Sequence, residues 1–165
     1  MKLVTLLSTA ALMTASLAAG DYDALGKAMR NAWPQVSTVA VVCDSVHNKG
    51  TLDAIAGAMP GMKLIVVDVK GPQDMGKALG TLGSHKPDAV VLVAGDKIAG
   101  DGTSAAAFLI QRMASAKVPT VSTTEAGVRQ GAVLGMGPGT GGKLLANAKV
   151  AGVAGVSIPA SASQI

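Results

Sequence analysis

Cys43, Asp44 and His47 fall within five residues of one another, and a thiol, a carboxylate and an imidazole at that spacing invite two kinds of chemistry. A thiolate nucleophile needs a base and an orienting group within hydrogen-bond reach. A metal centre needs three or four ligands. The spacing selects neither: the other histidine, His85, reads as a helix end at the opposite edge of the sheet, and a buried strand-end cysteine accounts for Cys43 by packing alone. A second polar group is Ser122-Thr123-Thr124-Glu125. Capping of the next helix explains one or two of its hydroxyls, and the surplus suits hydrogen bonds to a ligand. Asp96 and Asp101 flank a glycine-containing loop, where a carboxylate pair for acid–base work competes with the ordinary use of Asp to turn the chain.

Gly137-Pro138-Gly139-Thr140-Gly141-Gly142-Lys143 matches G-x-G-x-x-G and the first seven positions of a phosphate-binding P-loop. Leu144 stands where that loop needs a hydroxyl for magnesium, and the stretch follows the fifth strand instead of the first. No strand with an acidic end follows about twenty residues later, as a dinucleotide site requires. A glycine-rich helix start with some anion affinity is what remains, and no nucleotide, metal or other cofactor is expected.

The elements that must position these residues alternate. Continuous apolar runs at 38–42, 63–69, 89–93, 118–121 and 132–136 read as strands buried on two faces, hence a parallel sheet covered by helices on each side. Helical stretches at 49–59, 72–84, 103–116, 125–130 and 140–150 supply the crossovers that parallel strands require. The reading is α/β, a doubly wound parallel five-stranded sheet in the order 2-1-3-4-5, as one domain. Ligands of such sheets sit beyond the carboxyl ends of the strands, where helix N-termini converge. That rule selects the loops at 43–48, 69–71, 95–102, 122–125 and 137–142. Asp44 and Ser45 are the candidate ligand contacts in the first of these loops.

Hydrophobic residues make up 49% of the 165-residue chain and charged residues 15%, so a core large enough to offset ordering entropy is available and disorder is excluded for most of the length. Aromatic residues are 2%, which leaves little for stacking an aromatic ligand. The formal charge of +4 is small and no Lys or Arg cluster occurs, so no nucleic-acid footprint is present. A single cysteine excludes an internal disulfide. Met1-Lys2, the apolar run 3–17 and the small residues around Ala18-Ala19 read as a secretory leader over 1–19. No cysteine follows the expected cut to accept a lipid, so the mature chain is expected to be periplasmic or secreted. Asp23 is expected to cap a short helix through Asn31, within a lead-in over 20–35. The lobe then spans 36–159, ending in at most a short strand with a flexible remainder at 160–165.

With these elements placed, four pieces stand in a familiar order: Pro87-Asp88-Ala89-Val90-Val91-Leu92-Val93-Ala94-Gly95-Asp96, Ala116-Lys117-Val118-Pro119-Thr120-Val121-Ser122-Thr123-Thr124-Glu125, Val128-Arg129-Gln130-Gly131-Ala132, and Gly135-Met136-Gly137-Pro138. Over residues 36–159 the chain resembles one lobe of the type I periplasmic solute-binding proteins of ABC importers, in the branch that includes tryptophan- and tyrosine-uptake proteins. The resemblance implies that Asp96 and Lys97, Ser122, Thr123, Thr124 and Glu125, and Gly137 and Pro138 face a ligand cleft. It implies an amino-acid-like, small polar solute, a membrane permease as partner, and no catalysis. Relatives close their cleft with two lobes and this chain has room for one, so a homodimer or a partner lobe would complete it. The alternative is an envelope accessory protein that keeps the lobe fold without capturing a ligand.

Overall fold

A computed structural model of the protein describes residues 13–137 and 142–165. Helix α1, Met13–Ala32, leads into strand β1, Thr38–Cys43; α2, Lys49–Ala58, then precedes β2, Lys63–Asp68. A single 3-10 turn, Pro72–Asp74, opens onto α3, Met75–His85, and β3, Ala89–Val91; α4, Ser104–Ser115, and β4, Thr120–Val121, follow. The chain continues through α5, Glu125–Gln130, β5, Leu134–Met136, β6, Leu144–Ala146, α6, Ala148–Ala154, and β7, Ser163–Gln164.

The strands form one sheet in the order β2-β1-β3-β4-β5-β6-β7. Its first five follow the expected sequence of neighbours, all parallel, with Thr38 to Cys43 in register with Lys63 to Asp68. Among the described residues the sheet nevertheless has seven strands, not five, and is only mostly parallel. Strand β6 runs antiparallel to β5, pairing Leu134 with Ala146 and Met136 with Leu144, and β7 extends it in parallel. A helix over 140–150 is therefore the wrong reading. Gly137 continues the hairpin ladder, its amide donating to the Lys143 carbonyl at 2.7 Å, and the helix waits for Asn147, whose side chain accepts from the Val150 amide and caps α6. The end of the chain is tied down, with the Ile165 amide donating to Ala146 at 3.0 Å.

Alternate residues of the central strands feed two cores, as the pleat requires. Val39, Val41, Val91 and Val93 point to one face, against α1 and α2, while Ala40, Val42, Val90 and Leu92 point to the other, against α3 and α4. Strand β2 lies at the edge, as the expected order has it, but it is not buried on both sides: Val66 is exposed.

The segment read as a lead-in belongs to the core. Tyr22, Leu25, Met29 and Trp33 are each at most 1% exposed, and their spacing puts them on one helical stripe over the first face. Asp23 is not a cap; it sits exposed within α1, which runs unbroken from Met13 through the expected cut region. Residues 1–12 of the expected leader lie outside the described residues. Gly26 lets α1 approach α2, because a Cβ there would strike the Ala58 carbonyl. At its far end the Trp33 indole donates to the Ser157 carbonyl at 2.8 Å, and Pro34 stops the helix.

Candidate functional site

Strands β1 and β3 are neighbours whose crossovers depart in opposite directions, to β2 on one side and β4 on the other. Their trailing loops part at this point and leave a crevice beyond the carboxyl ends, the position at which open α/β sheets hold ligands. The crevice here encloses about 390 Å³ and is lined by Asp44, His47, Asn48, Gly95, Asp96, Lys97 and Ile98.

Asp96 holds its walls. The residue is 4% exposed, and Oδ2 accepts from the Asp44 amide at 3.1 Å and the Asn48 side-chain amide at 2.6 Å. Oδ1 accepts from the Ile98 and Ala99 amides at 3.0 and 2.6 Å. A carboxylate that receives four N–H groups is satisfied without water, so the two loops are braced and the crevice is pre-formed. Gly95 turns the chain into it at φ +79°, a conformation that favours glycine.

Asp44 is the second carboxylate on the lining. Oδ1 meets the Lys70 ammonium at 2.7 Å and the Val46 amide at 3.2 Å, and Oδ2 meets His47 Nδ1 at 2.7 Å. The Lys70 contact, followed by His47, holds its carboxyl well below the usual carboxylate range. Lys70 also reaches Asp68 Oδ1 at 3.0 Å, where Ser45 donates through its amide and its hydroxyl at 2.9 and 2.7 Å. Those Ser45 bonds, with Lys70, lower Asp68, and the two carboxylates raise Lys70.

The hydroxyl run lies on the same rim, past β4, but outside this crevice. Asp101 Oδ2 accepts from the Ser122 hydroxyl at 2.7 Å and the Thr124 hydroxyl at 2.5 Å. Thr124 Oγ1 in turn accepts from the Gly127 amide at 3.1 Å and caps α5. From α1, Tyr22 brings its hydroxyl up to Thr123 and Ala94 without meeting hydrogen-bond geometry with either. That hydroxyl is buried and unpartnered among the described residues, and burial pushes it up to about 12.

Of the residues selected from the sequence, Asp44, Asp96 and Lys97 meet in the crevice. Ser45 turns away to Asp68, Glu125 pairs with Arg129 one helical turn on, and Gly137 is consumed in the β5–β6 hairpin. Pro138 lies outside the described residues. Cys43 is fully buried and its thiol is pushed up to about 12, chiefly by burial and then by Asp96, so it offers no thiolate to the neighbouring His47. Among the described residues no three His, Cys, Asp or Glu side chains are grouped to hold a metal ion. Sequence reasoning selected the loops at 43–48 and 69–71 but singled out neither Asn48 nor Lys70 within them. Asn48 carried a further signal, since it stands at the helix-cap position of α2; Lys70 carried only its place in the loop at 69–71, because its partners, 26 and 2 residues away, follow no spacing rule.

No protein-family model and no curated protein sequence matches the chain. Among solved structures, a conserved domain protein from Vibrio cholerae O1 biovar El Tor strain N16961 aligns at 19% identity and a TM-score of 0.70 over 87% of this chain and 59% of that one. The ureidoglycine–glyoxylate aminotransferase of Bacillus subtilis aligns at 12% identity and a TM-score of 0.56, over 84% and 38%. An ABC transporter solute-binding protein from R. palustris, in complex with benzoate, aligns at 16% identity and a TM-score of 0.41, over 66% and 28%. The first two likenesses are of fold alone, and the third is too loose to carry weight. The chain spans about 59% of the length of the Vibrio protein.

Proposed function

We propose that this chain is an exported ligand-binding lobe that takes a small polar solute at the crevice between the β1 and β3 loops, in the service of ABC-type uptake. The observation that carries the reading is the crevice itself, an opening of about 390 Å³ at the reversal of strand order, braced by Asp96. Ligand sites are concave and largely pre-formed, with a few fixed polar groups, and this one has that character. Binding fits the residues better than catalysis does, because the thiol next to His47 is buried. A single lobe covers a small solute from one side, so a second copy or a partner lobe completes the enclosure. Export, to the periplasm or beyond, rests on the leader-like run over 3–17.

Two measurements test this. Expression from the full reading frame in a Gram-negative host, with fractionation and N-terminal sequencing, is expected to return a periplasmic protein cut near Ala19. A thermal-shift screen of that protein with amino acids and other small polar solutes is expected to find a class that raises Tm by several degrees, since a ligand that binds only the folded state stabilises it by mass action. A monomer that gains nothing from any class would sink the proposal.

One observation favours a second reading, an envelope accessory protein that retains the fold without the ligand: Ser45, Ser122, Thr124 and Glu125 are all occupied by partners inside the chain. Under that reading a pull-down from envelope extract recovers one specific protein, and Ser122→Ala with Thr123→Ala leaves the association intact.

A further inference from the structure

The β1–β3 crevice is lopsided in what it can still offer. Both carboxylates on its lining are already engaged: Asp96 by four N–H donors, and Asp44 by Lys70, His47 and the Val46 amide. An incoming ammonium group would find the accepting positions of both carboxylates taken, although the Asp96 charge is met by neutral N–H groups and not by a cation. Lys97, by contrast, lines the crevice, is exposed, and has no hydrogen-bond or ion-pair partner among the described residues. Lys70 is taken up by Asp44 and Asp68, and Lys49, which follows Asn48 in the chain, is paired with Asp53 at 3.1 Å.

The same bias appears in the amides. Asn48 occupies the cap position of α2 but makes no side-chain cap, because its amide group is turned to Asp96 and the Asp44 carbonyl. The first-turn N–H groups of α2 thus keep their partial positive charge beside the crevice. Lys97 and these amides are the uncommitted donors here; against them, His47, with Nδ1 given to Asp44, keeps Nε2 as an acceptor while its ring is neutral.

We infer that the group this crevice receives is an anionic oxygen, a carboxylate or a phosphate, and that Lys97 is the residue that selects for it. The inference rests on the binding reading above and narrows it. The part of the solute recognised here is its negative end, and an ammonium group, where the solute has one, is left for the completing lobe or for water.

The test uses the whole exported protein, isotope-labelled, titrated with propionate, propionamide, propylamine and inorganic phosphate at millimolar concentration while the amide resonances of Asn48, Gly95 and Ile98 are followed. Propionate or phosphate is expected to move these resonances saturably, the neutral amide and the amine are not, and the stronger of the two anions assigns carboxylate or phosphate. Lys97→Met is expected to weaken the anion about tenfold or more, the scale of a lost charge-assisted hydrogen bond, and Lys97→Arg to retain it. Because Lys97 is exposed, neither change should disturb folding, and an unchanged Tm checks this. If neither anion moves the resonances, if amide or amine binds as well, or if Lys97→Met binds unchanged, the inference is overturned. A neutral or cationic solute that still stabilises the protein would leave the broader binding reading standing, whereas failure of every solute class removes both.

Discussion

The Asp96 carboxylate accepts the Asp44 backbone amide at 3.1 Å, so the loop that ends β1 is fastened to the loop that ends β3 by a side chain only 4% exposed. Removing it strands four N–H donors, those of Asp44, Asn48, Ile98 and Ala99. Unsatisfied buried donors cost about 1–3 kcal/mol each where water cannot reach them, and partial rehydration lowers the sum. Asp96→Ala is expected to destabilise the fold by about 2–4 kcal/mol in urea unfolding. Asp96→Asn should recover part of that, since it keeps one acceptor. An Asp96→Ala protein as stable as the parent would mean the brace is not needed.

Gly127 makes the hydroxyl cluster possible. A Cβ at this position would strike the Ser122 side chain and crowd Asp101 Oδ1, on the two side chains whose 2.7 Å bond, Ser122 Oγ to Asp101 Oδ2, holds β4 to the loop before α4. Gly127→Ala is therefore expected to lose about 1–3 kcal/mol by overpacking, although alanine is the better helix former. Combining it with Ser122→Ala, which clears part of the space, should restore some of the loss. A purely additive double mutant, measured by denaturant unfolding, would refute the steric account.

How much of this was legible in the sequence depended on how local the signal was. The first five strands and their order follow from apolar runs set apart by helix-length crossovers, and Asp44, Asp96 and Lys97 follow from the rule that sites gather beyond strand ends. Those are short-range patterns. The hairpin of β5 and β6 is hidden because glycine after a strand reads equally as a helix start or a turn, and only the cap at Asn147 separates the two. The stripe Tyr22, Leu25, Met29 and Trp33 was visible as a helical face, but its burial depends on an opening over the sheet that only the finished topology creates. The rim loops that hold Lys70 and Asp101 were legible by the same rule, but their partners, 26 and 21 residues away, lie at a distance at which no spacing rule operates.

Cys43 supplies a probe of the closed core. Its thiol is fully buried and pushed up to about 12, chiefly by burial, and the thiolate is the reactive form. The folded protein at pH 8 is expected to resist a thiol reagent such as DTNB, and the rate of modification should rise only in urea, tracking global unfolding. Rapid stoichiometric labelling under native conditions would contradict the burial and reopen a nucleophilic role. Cys43→Ala is expected to leave solute binding unaffected while costing the modest stability of a small core truncation, about 1–2 kcal/mol.

Acid should act first on the cluster around Lys70. Asp44 and Asp68 are both lowered, by contacts with Lys70 and His47 and with Ser45 and Lys70 respectively. A carboxylate depressed in the folded state stabilises the fold above its unfolded value, near 4, and that contribution drains away as pH falls through the folded value. Tm is therefore expected to hold level from neutrality to about pH 5 and to decline below about pH 4. The raised Lys70 contributes with the opposite sign: its share is complete below the unfolded lysine value, near 10.4, and fades as pH climbs through the higher folded one. Lys70→Met removes the shared cation, so its Tm should fall less steeply in acid than that of the parent. Equal acid slopes for the two proteins would show that Lys70 does not hold these carboxylates in solution.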